Sequence, residues 1–194
     1  MSDFIEVYDA LSSKECDIII DYFDNNPKGP GVINDNEVDT KRKISIETSG
    51  DIYQQPILLN ALRNNVPKYQ KKYPGIDIGF GTWSVCSGYN IQKFEDGGGY
   101  FAEHSEHIPA FPNRMLVWMV YLNDAKCGTR FTHQRRIIKP KKGRLVLWPA
   151  TWTHTHCGVT PNKGLKYIAT GWFELNGFRE AGQVRASAIQ GERV

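Results

Sequence analysis

Apolar positions recur at two different periods along this chain, and the change falls near residue 76. In KECDIIIDYFDNN, Cys16, Ile19, Ile20 and Phe23 return at helical spacing, behind Ser12 or Ser13 as a cap. PILLNALRNNVPKYQKKY repeats the pattern, with Pro56 suited to a first turn and Pro67 expected to kink or break the helix. Between them, PKGPGVINDNE reads as a loop. Beyond Ile78 the texture becomes short aliphatic, aromatic and β-branched runs: GFGTWSVCSGYNIQKF, RMLVWMVYLND, TRFTHQRRII, GRLVLWPA and KYIATGWFEL. Short strands at such spacing predict a barrel or sandwich. MLVWMVYL is apolar at odd and even positions alike, so both faces of that strand should be covered. The expected architecture is mainly β with flanking helices, in one domain over 1–194. Residues 1–75 form a helical support outside one sheet, 76–176 a two-sheet β-barrel, and 177–194 a polar tail.

Composition narrows this picture only slightly. A chain of 194 residues can bury a core without crosslinks. Its 40% hydrophobic and 23% charged content is ordinary for a soluble globular protein, and 12% aromatics favour strands over disorder. The net charge of +3 is too small to name a partner. Cys16, Cys86, Cys127 and Cys157 are scattered without a C-x-x-C pair, which argues against a zinc ribbon or a disulfide framework. MSDFIEVYDALSSKE lacks the basic and apolar regions of a signal peptide, and no apolar stretch is long enough to span a membrane. Reduced thiols and a cytoplasmic location are the expectation, with no membrane partner.

Five histidines are available for chemistry: His104, His107, His133, His154 and His156. On extended backbone, residues i and i+2 point the same way, so the imidazole and carboxylate of His104-Ser105-Glu106 can converge. Alone, that pattern is common on surfaces. Trp152-Thr153-His154-Thr155-His156 offers two further imidazoles, which could form a cupin-like pair by themselves. One of them, joined to His104 and Glu106, completes the two-His, one-carboxylate facial triad of non-haem iron oxygenases, which keeps positions open for reactants. A structural zinc site would want four protein ligands, usually including thiolates. Lys166, in GLKYIATGWF, could supply the fixed cation that a dianionic co-substrate requires; it could equally be a strand lysine reaching solvent.

From Tyr89 to Phe173 the chain resembles the prolyl 4-hydroxylase-like branch of the iron(II)/2-oxoglutarate oxygenases. YNIQKFEDGGGYFAEHSE, RMLVWMVYLND, GTRF, KPKKGRLVLWPA and THTHCG…GLKYIATGWF carry the likeness. The resemblance implies a double-stranded β-helix, a cupin-like jelly roll, with Fe(II), 2-oxoglutarate and O2 as cofactor and co-substrates and ascorbate as an accessory reductant. It implies His104, Glu106 and His156 as ligands, because a basic residue ten places after the distal histidine, here Lys166, binds the far carboxylate. It gives Tyr121 and Thr129 supporting contacts to that carboxylate. Three departures stand out: Glu106 where aspartate is commoner, Lys126-Cys127-Gly128 where a Gly-Gly pair is frequent, and Phe94 where many relatives carry tyrosine.

The implied activity is hydroxylation of a C–H bond, most often of a prolyl residue in a protein or peptide; a free amino acid or other small molecule is the alternative. Repair of alkylated nucleic acid would draw on Arg135, Arg136, Lys139, Lys141, Lys142 and Arg144 around a predicted hairpin. It is disfavoured by a lysine where that group usually has arginine, and a solvated hairpin accounts for the basic cluster. A non-catalytic cupin-like module using His154 and His156 is the reading from another class. Arg114 and Arg130 flank the expected pocket as substrate contacts, and Gly97-Gly98-Gly99 reads as a turn before the first ligands. Oligomeric state is not legible from these features.

Overall fold

The apolar run Arg114–Tyr121 (β7) lies inside a sheet whose two faces are both buried, as its odd and even positions require. Leu116, Trp118, Val120 and Leu122 point into one core cluster, while Val117, Met119 and Tyr121 point into another. The computed structural model describes residues 2–33, 37–78, 81–160 and 164–176. The remaining strands are β1 (Glu6–Asp9), β2 (Gly29–Pro30), β3 (Lys43–Ile44), β4 (Ile46–Asp51), β5 (Trp83–Phe94) and β6 (Gly99–Tyr100). After β7 come β8 (Gly128–Phe131), β9 (Arg136–Ile138), β10 (Arg144–Pro149), β11 (His156–Val159) and β12 (Lys166–Leu175).

Seven strands form an antiparallel sheet in the order β1-β10-β7-β12-β5-β4-β2; β11-β8-β9 form a second, and β3-β6 a short pair. The architecture is the expected jelly roll. Two helices cover the outside of the large sheet: α1 (Ser13–Asn25) through Cys16, Ile19 and Phe23, and α2 (Pro56–Lys72) through Leu58, Leu62, Val66 and Tyr69. The first helix opens on a reciprocal cap, in which Ser12 Oγ accepts from the Glu15 amide and the Glu15 carboxylate accepts from the Ser12 amide.

Two expectations need correction. Pro67 does not break α2, which runs on to Lys72. Pro67 is exposed, and the carbonyl left without its usual donor belongs to Arg63, likewise on the exposed side, where water can satisfy it. Nor are residues 1–75 helical throughout, since β1 forms one edge of the large sheet while β4 and β2 form the other. The strand IETSGD escapes apolar periodicity because Glu47 and Ser49, on its inner face, meet a cavity rather than a core. The tail assigned to 177–194 lies outside the described residues.

One row across the outer face explains two glycines. Tyr89 sits opposite both Gly50 and Gly171, and Gly171 sits opposite Trp118. A Cβ on Gly171 would approach the Trp118 indole to 2.6 Å. Large rings and bare backbone therefore alternate, and the rings lie over the glycines. Gly171→Ala should destabilise the fold by about 1–3 kcal/mol, the usual penalty of overpacking. Urea or thermal unfolding measures it, with near-UV circular dichroism reporting the displaced indole.

Candidate metal centre

Backbone pairing brings the two halves of the site together. His104 lies in the loop after β6 and His156 begins β11, and each donates its amide to the other's carbonyl, at 3.0 and 2.9 Å. The next turn of that loop is tied down by the Ala150 carbonyl, which accepts from the Glu106 and His107 amides. The ligand atoms of His104, Glu106 and His156 lie within 4.8 Å of one another. Glu106 Oε1 stands 3.6 Å from His104 Nε2 and 3.5 Å from His156 Nε2.

Hydrogen bonding decides what those nitrogens offer. His104 Nδ1 donates to the Ala102 carbonyl and His156 Nδ1 to the His154 carbonyl, both at 2.9 Å. A neutral imidazole that donates from Nδ1 presents a lone pair at Nε2. Two such lone pairs and a carboxylate oxygen thus converge with no proton donor built between them, and a divalent cation fits that donor set. Burial, then the adjacent His156, hold the His104 imidazolium down. Burial would raise the Glu106 carboxyl, and only a proton on Nε2 of His104 or His156 would turn those rings into donors that hold the group well below the ordinary range. The second carboxylate oxygen is separately fixed: Trp172 Nε1 donates to Oε2 at 3.0 Å, with Arg114 Nη1 3.6 Å away. Tyr100 stacks on His104 at 3.7 Å between ring centroids.

His154 does not join this centre. It ends a short 3-10 turn (Trp152–His154) instead of sharing a strand face with His156, and its ring bridges Thr153 Oγ1 and the Asp3 carbonyl. The cupin-like pair of His154 and His156 is therefore not formed. His107 turns toward the Arg114 carbonyl, away from the cluster.

A cavity of about 740 Å³ opens from the cluster and reaches Lys166. Lys166 starts β12 opposite Phe94, is only 2% exposed, and sets its ammonium 4.3 Å from the centre of the Phe94 ring. Burial pulls its pKa down. Among the described residues it has no carboxylate partner, and a buried ammonium without one is an expensive arrangement that an anionic ligand would relieve. Thr129 also lines the cavity. Tyr121 does not: its hydroxyl sits behind Thr129, bonded to Thr129 Oγ1 at 2.8 Å and donating to the Ile138 carbonyl.

Arg114 is on the cavity wall, its guanidinium sandwiched between Phe111 and Trp172 at 3.8 and 3.5 Å. Arg130 is not. Thr129 points inward, so alternation on β8 turns Arg130 outward, where it meets Glu103 and Cys157 Sγ. The basic hairpin residues are largely engaged within the protein, as Arg136–Asp3, Lys141–Asp9 and Lys142–Asp17. Sequence reasoning missed Trp172, although the signal was present: with Lys166 inward on β12, Ile168, Thr170 and Trp172 share its parity. Tyr100 carried no such signal, because its position depends on the pairing of β6 with β3.

Residues 89–174 match the family model of the 2OG-Fe(II) oxygenase superfamily. No curated protein sequence matches the chain. Among solved structures, a viral collagen prolyl hydroxylase from Paramecium Bursaria Chlorella virus-1, solved with 2-oxoglutarate, is similar at TM-score 0.68 and 19% identity, over 90% of this chain and 98% of that one. A Pseudomonas putida prolyl-4-hydroxylase gives 0.66 and 16%, over 88% and 92%. A Trichoplax adhaerens prolyl hydroxylase, in complex with a hypoxia inducible factor peptide fragment, gives 0.68 and 14%, over 96% and 88%. At these identities the likeness is one of fold.

Trp172→Phe removes the hydrogen bond that Trp172 Nε1 donates to Glu106 Oε2 while keeping an aromatic ring at this position. Affinity for a divalent cation should fall about 10-fold or more, the usual consequence of losing such an outer contact. Calorimetric titration with Fe(II) or Mn(II) under argon measures it.

Proposed function

We propose that the chain is a 2OG-Fe(II) oxygenase, as the family-model match over residues 89–174 supports, and that it hydroxylates a prolyl residue of a protein or peptide, converting 2-oxoglutarate to succinate and carbon dioxide. His104, Glu106 and His156 hold the iron(II). Lys166 holds the far carboxylate of 2-oxoglutarate with Thr129 beside it, and Tyr121 acts only by orienting Thr129.

One observation carries this assignment: a buried ammonium, without a carboxylate partner among the described residues, shares one cavity with three converging ligand atoms, and a gap in the wall lies between them. The gap is Gly158, the next inward position after His156 on β11, where a Cβ would stand 3.6 Å from Lys166 Nζ. Inward positions two apart on a strand are roughly 6.6–6.8 Å apart, which suits a five-carbon dicarboxylate lying between the metal ligands and the lysine. The prolyl substrate is supported by the fold shared with three prolyl hydroxylases, one of them holding a peptide.

When bound, iron(II) lets dioxygen accept two electrons from decarboxylation of the keto acid and two from the C–H bond, one oxygen atom entering succinate and the other the product. The protein's residues position and shield. Lys166 and Thr129 fix one end of 2-oxoglutarate so that its keto-acid end lies against the triad. Phe94, Met119, Trp148 and Ile168 wall the cavity with apolar surface that keeps water out. Trp172 and Arg114 keep the Glu106 carboxylate turned toward the histidines.

Incubation with iron(II), ascorbate, 2-oxoglutarate and a proteome digest should add one oxygen atom to prolyl residues, read by mass spectrometry. His104→Ala and His156→Ala should each abolish succinate formation. Oxygen found only on other residue types would overturn the prolyl assignment. Lys166→Ala should raise the 2-oxoglutarate requirement by on the order of 100-fold, as loss of a charge-assisted contact implies, and weaken iron binding far less. Equal loss of both would make Lys166 structural.

A further inference from the structure

The cavity is larger than the path from the triad to Lys166. A second arm extends over the inner face of β4 and β5, past the side chains of Glu47, Ser49, Asn90 and Gln92. Register sets these on one face, with Glu47 opposite Gln92 and Ser49 opposite Asn90. Pro30, Val32 and Ile33 close its far side. Nothing in the binding of 2-oxoglutarate uses this arm.

Most polar groups of the arm are already engaged. Glu47 Oε1 takes Lys43 Nζ at 2.5 Å and Ser45 Oγ at 2.7 Å, and Asn90 Oδ1 accepts from Ser49 at 2.8 Å. Thr170, next to Asn90 on β12, donates to the Trp118 carbonyl. Gln92 differs in being 7% exposed, lining the cavity, and having no hydrogen-bond partner at either end of its carboxamide among the described residues. A carboxamide can donate and accept at once, and this one opens onto the cavity, where a ligand could use both ends.

We infer that Gln92 is a specificity-determining residue that hydrogen-bonds the main chain of the substrate beside its target residue. The chemistry of the wall suits a peptide bond, because the Gln92 carboxamide is uncharged and the Glu47 carboxylate opposite it is already neutralised by Lys43. The spacing favours extended chain. Asn90 and Gln92 are two apart on β5, roughly 6.6–6.8 Å, and an extended segment repeats every second residue at the same roughly 6.6–6.8 Å. Successive carbonyls on one side of such a segment therefore fall in step with successive inward positions of β5. This assignment rests on the peptide-hydroxylase reading above and deepens it.

The test uses the iron(II)- and 2-oxoglutarate-loaded protein under argon, so that binding is read without turnover. The probes are a ten-residue peptide alternating Gly and Pro and its counterpart alternating Gly and Ala. Dissociation constants come from calorimetry, and thermal melts confirm that each variant folds. Gln92→Leu, similar in size and apolar, should weaken both peptides about tenfold, as two lost neutral hydrogen bonds imply. Gln92→Glu, which keeps an acceptor but sets a second carboxylate opposite Glu47, should weaken them at least as much. The constant for 2-oxoglutarate should stay within about twofold of wild type, since no neutral hydrogen bond to it is lost. Unchanged peptide binding in Gln92→Leu overturns the assignment. Weakened 2-oxoglutarate with unchanged peptide overturns it too, and moves Gln92 to the co-substrate. Wild type that binds neither peptide also overturns it, whatever its activity. If the alanine peptide binds as tightly as the proline peptide, and a parallel incubation in air oxidises it equally, the prolyl reading falls while a Gln92→Leu loss still supports the main-chain contact.

Discussion

Two hydrogen bonds between the backbones of His104 and His156 hold this site together. Neither residue is near the other in sequence, and the loop carrying His104 has no strand of its own beyond that bridge. The pairing does three things at once. It sets the two imidazoles 4.4 Å apart between ring centroids, it fixes the chain direction so that Glu106 follows on the same side, and it joins that loop to the small sheet. Because the imidazoles also donate from Nδ1 to carbonyls two residues upstream, their orientation is set by backbone at both ends. Geometry fixed in this way does not have to be reorganised when a cation arrives, which is what a binding centre gains from preorganisation.

The rest of the fold can be understood as what such a centre demands of its surroundings. Outside the large sheet, helices and rings fill space to the point that two glycines are needed opposite Tyr89 and beside Trp118. Inside, the same sheet is divided. Its β10 and β7 side carries Val117, Met119, Val146 and Trp148 and packs against the small sheet. Its β4, β5 and β12 side carries Glu47, Ser49, Asn90, Gln92, Lys166 and Thr170 and does not close over. Burying amide and ammonium groups in a barrel is unfavourable unless something bonds to them. The stability that these positions forgo is recovered on the helical side, which is why one face can be dense while the other stays open.

How much of this was legible before the structure depended on whether a feature is periodic. Helix α1 and the two-faced strand β7 follow from local repeats, whereas the inward placing of Lys166 is implied by the family resemblance and not by any period. The residues offered a triad of His104, Glu106 and one of two downstream histidines, and only the resemblance selected His156 over His154. What escaped was non-local. β4 presents polar residues to a cavity, so its alternation carries no apolar signature and it does not look like a strand. His154 sits two residues from a proposed ligand, yet a 3-10 turn directs it toward Asp3, and no spacing rule distinguishes that turn from a strand. Tyr121 and Arg130 were reasonable from position alone; the hydroxyl of one is committed behind Thr129, and the other falls on the outward parity of β8.

The glutamate in the triad ties these threads together. A glutamate has one more rotatable bond than an aspartate, so ordering its carboxylate loses more side-chain entropy. Here each oxygen is held by different partners. Oε1 faces the two imidazoles, and Oε2 accepts from Trp172 with Arg114 close behind. Arg114 is itself clamped between Phe111 and Trp172, so it has little freedom to leave. The longer acid and its aromatic and cationic supports are therefore one device. The added methylene extends the reach of the carboxylate from its loop, and the indole and guanidinium remove the freedom that came with it.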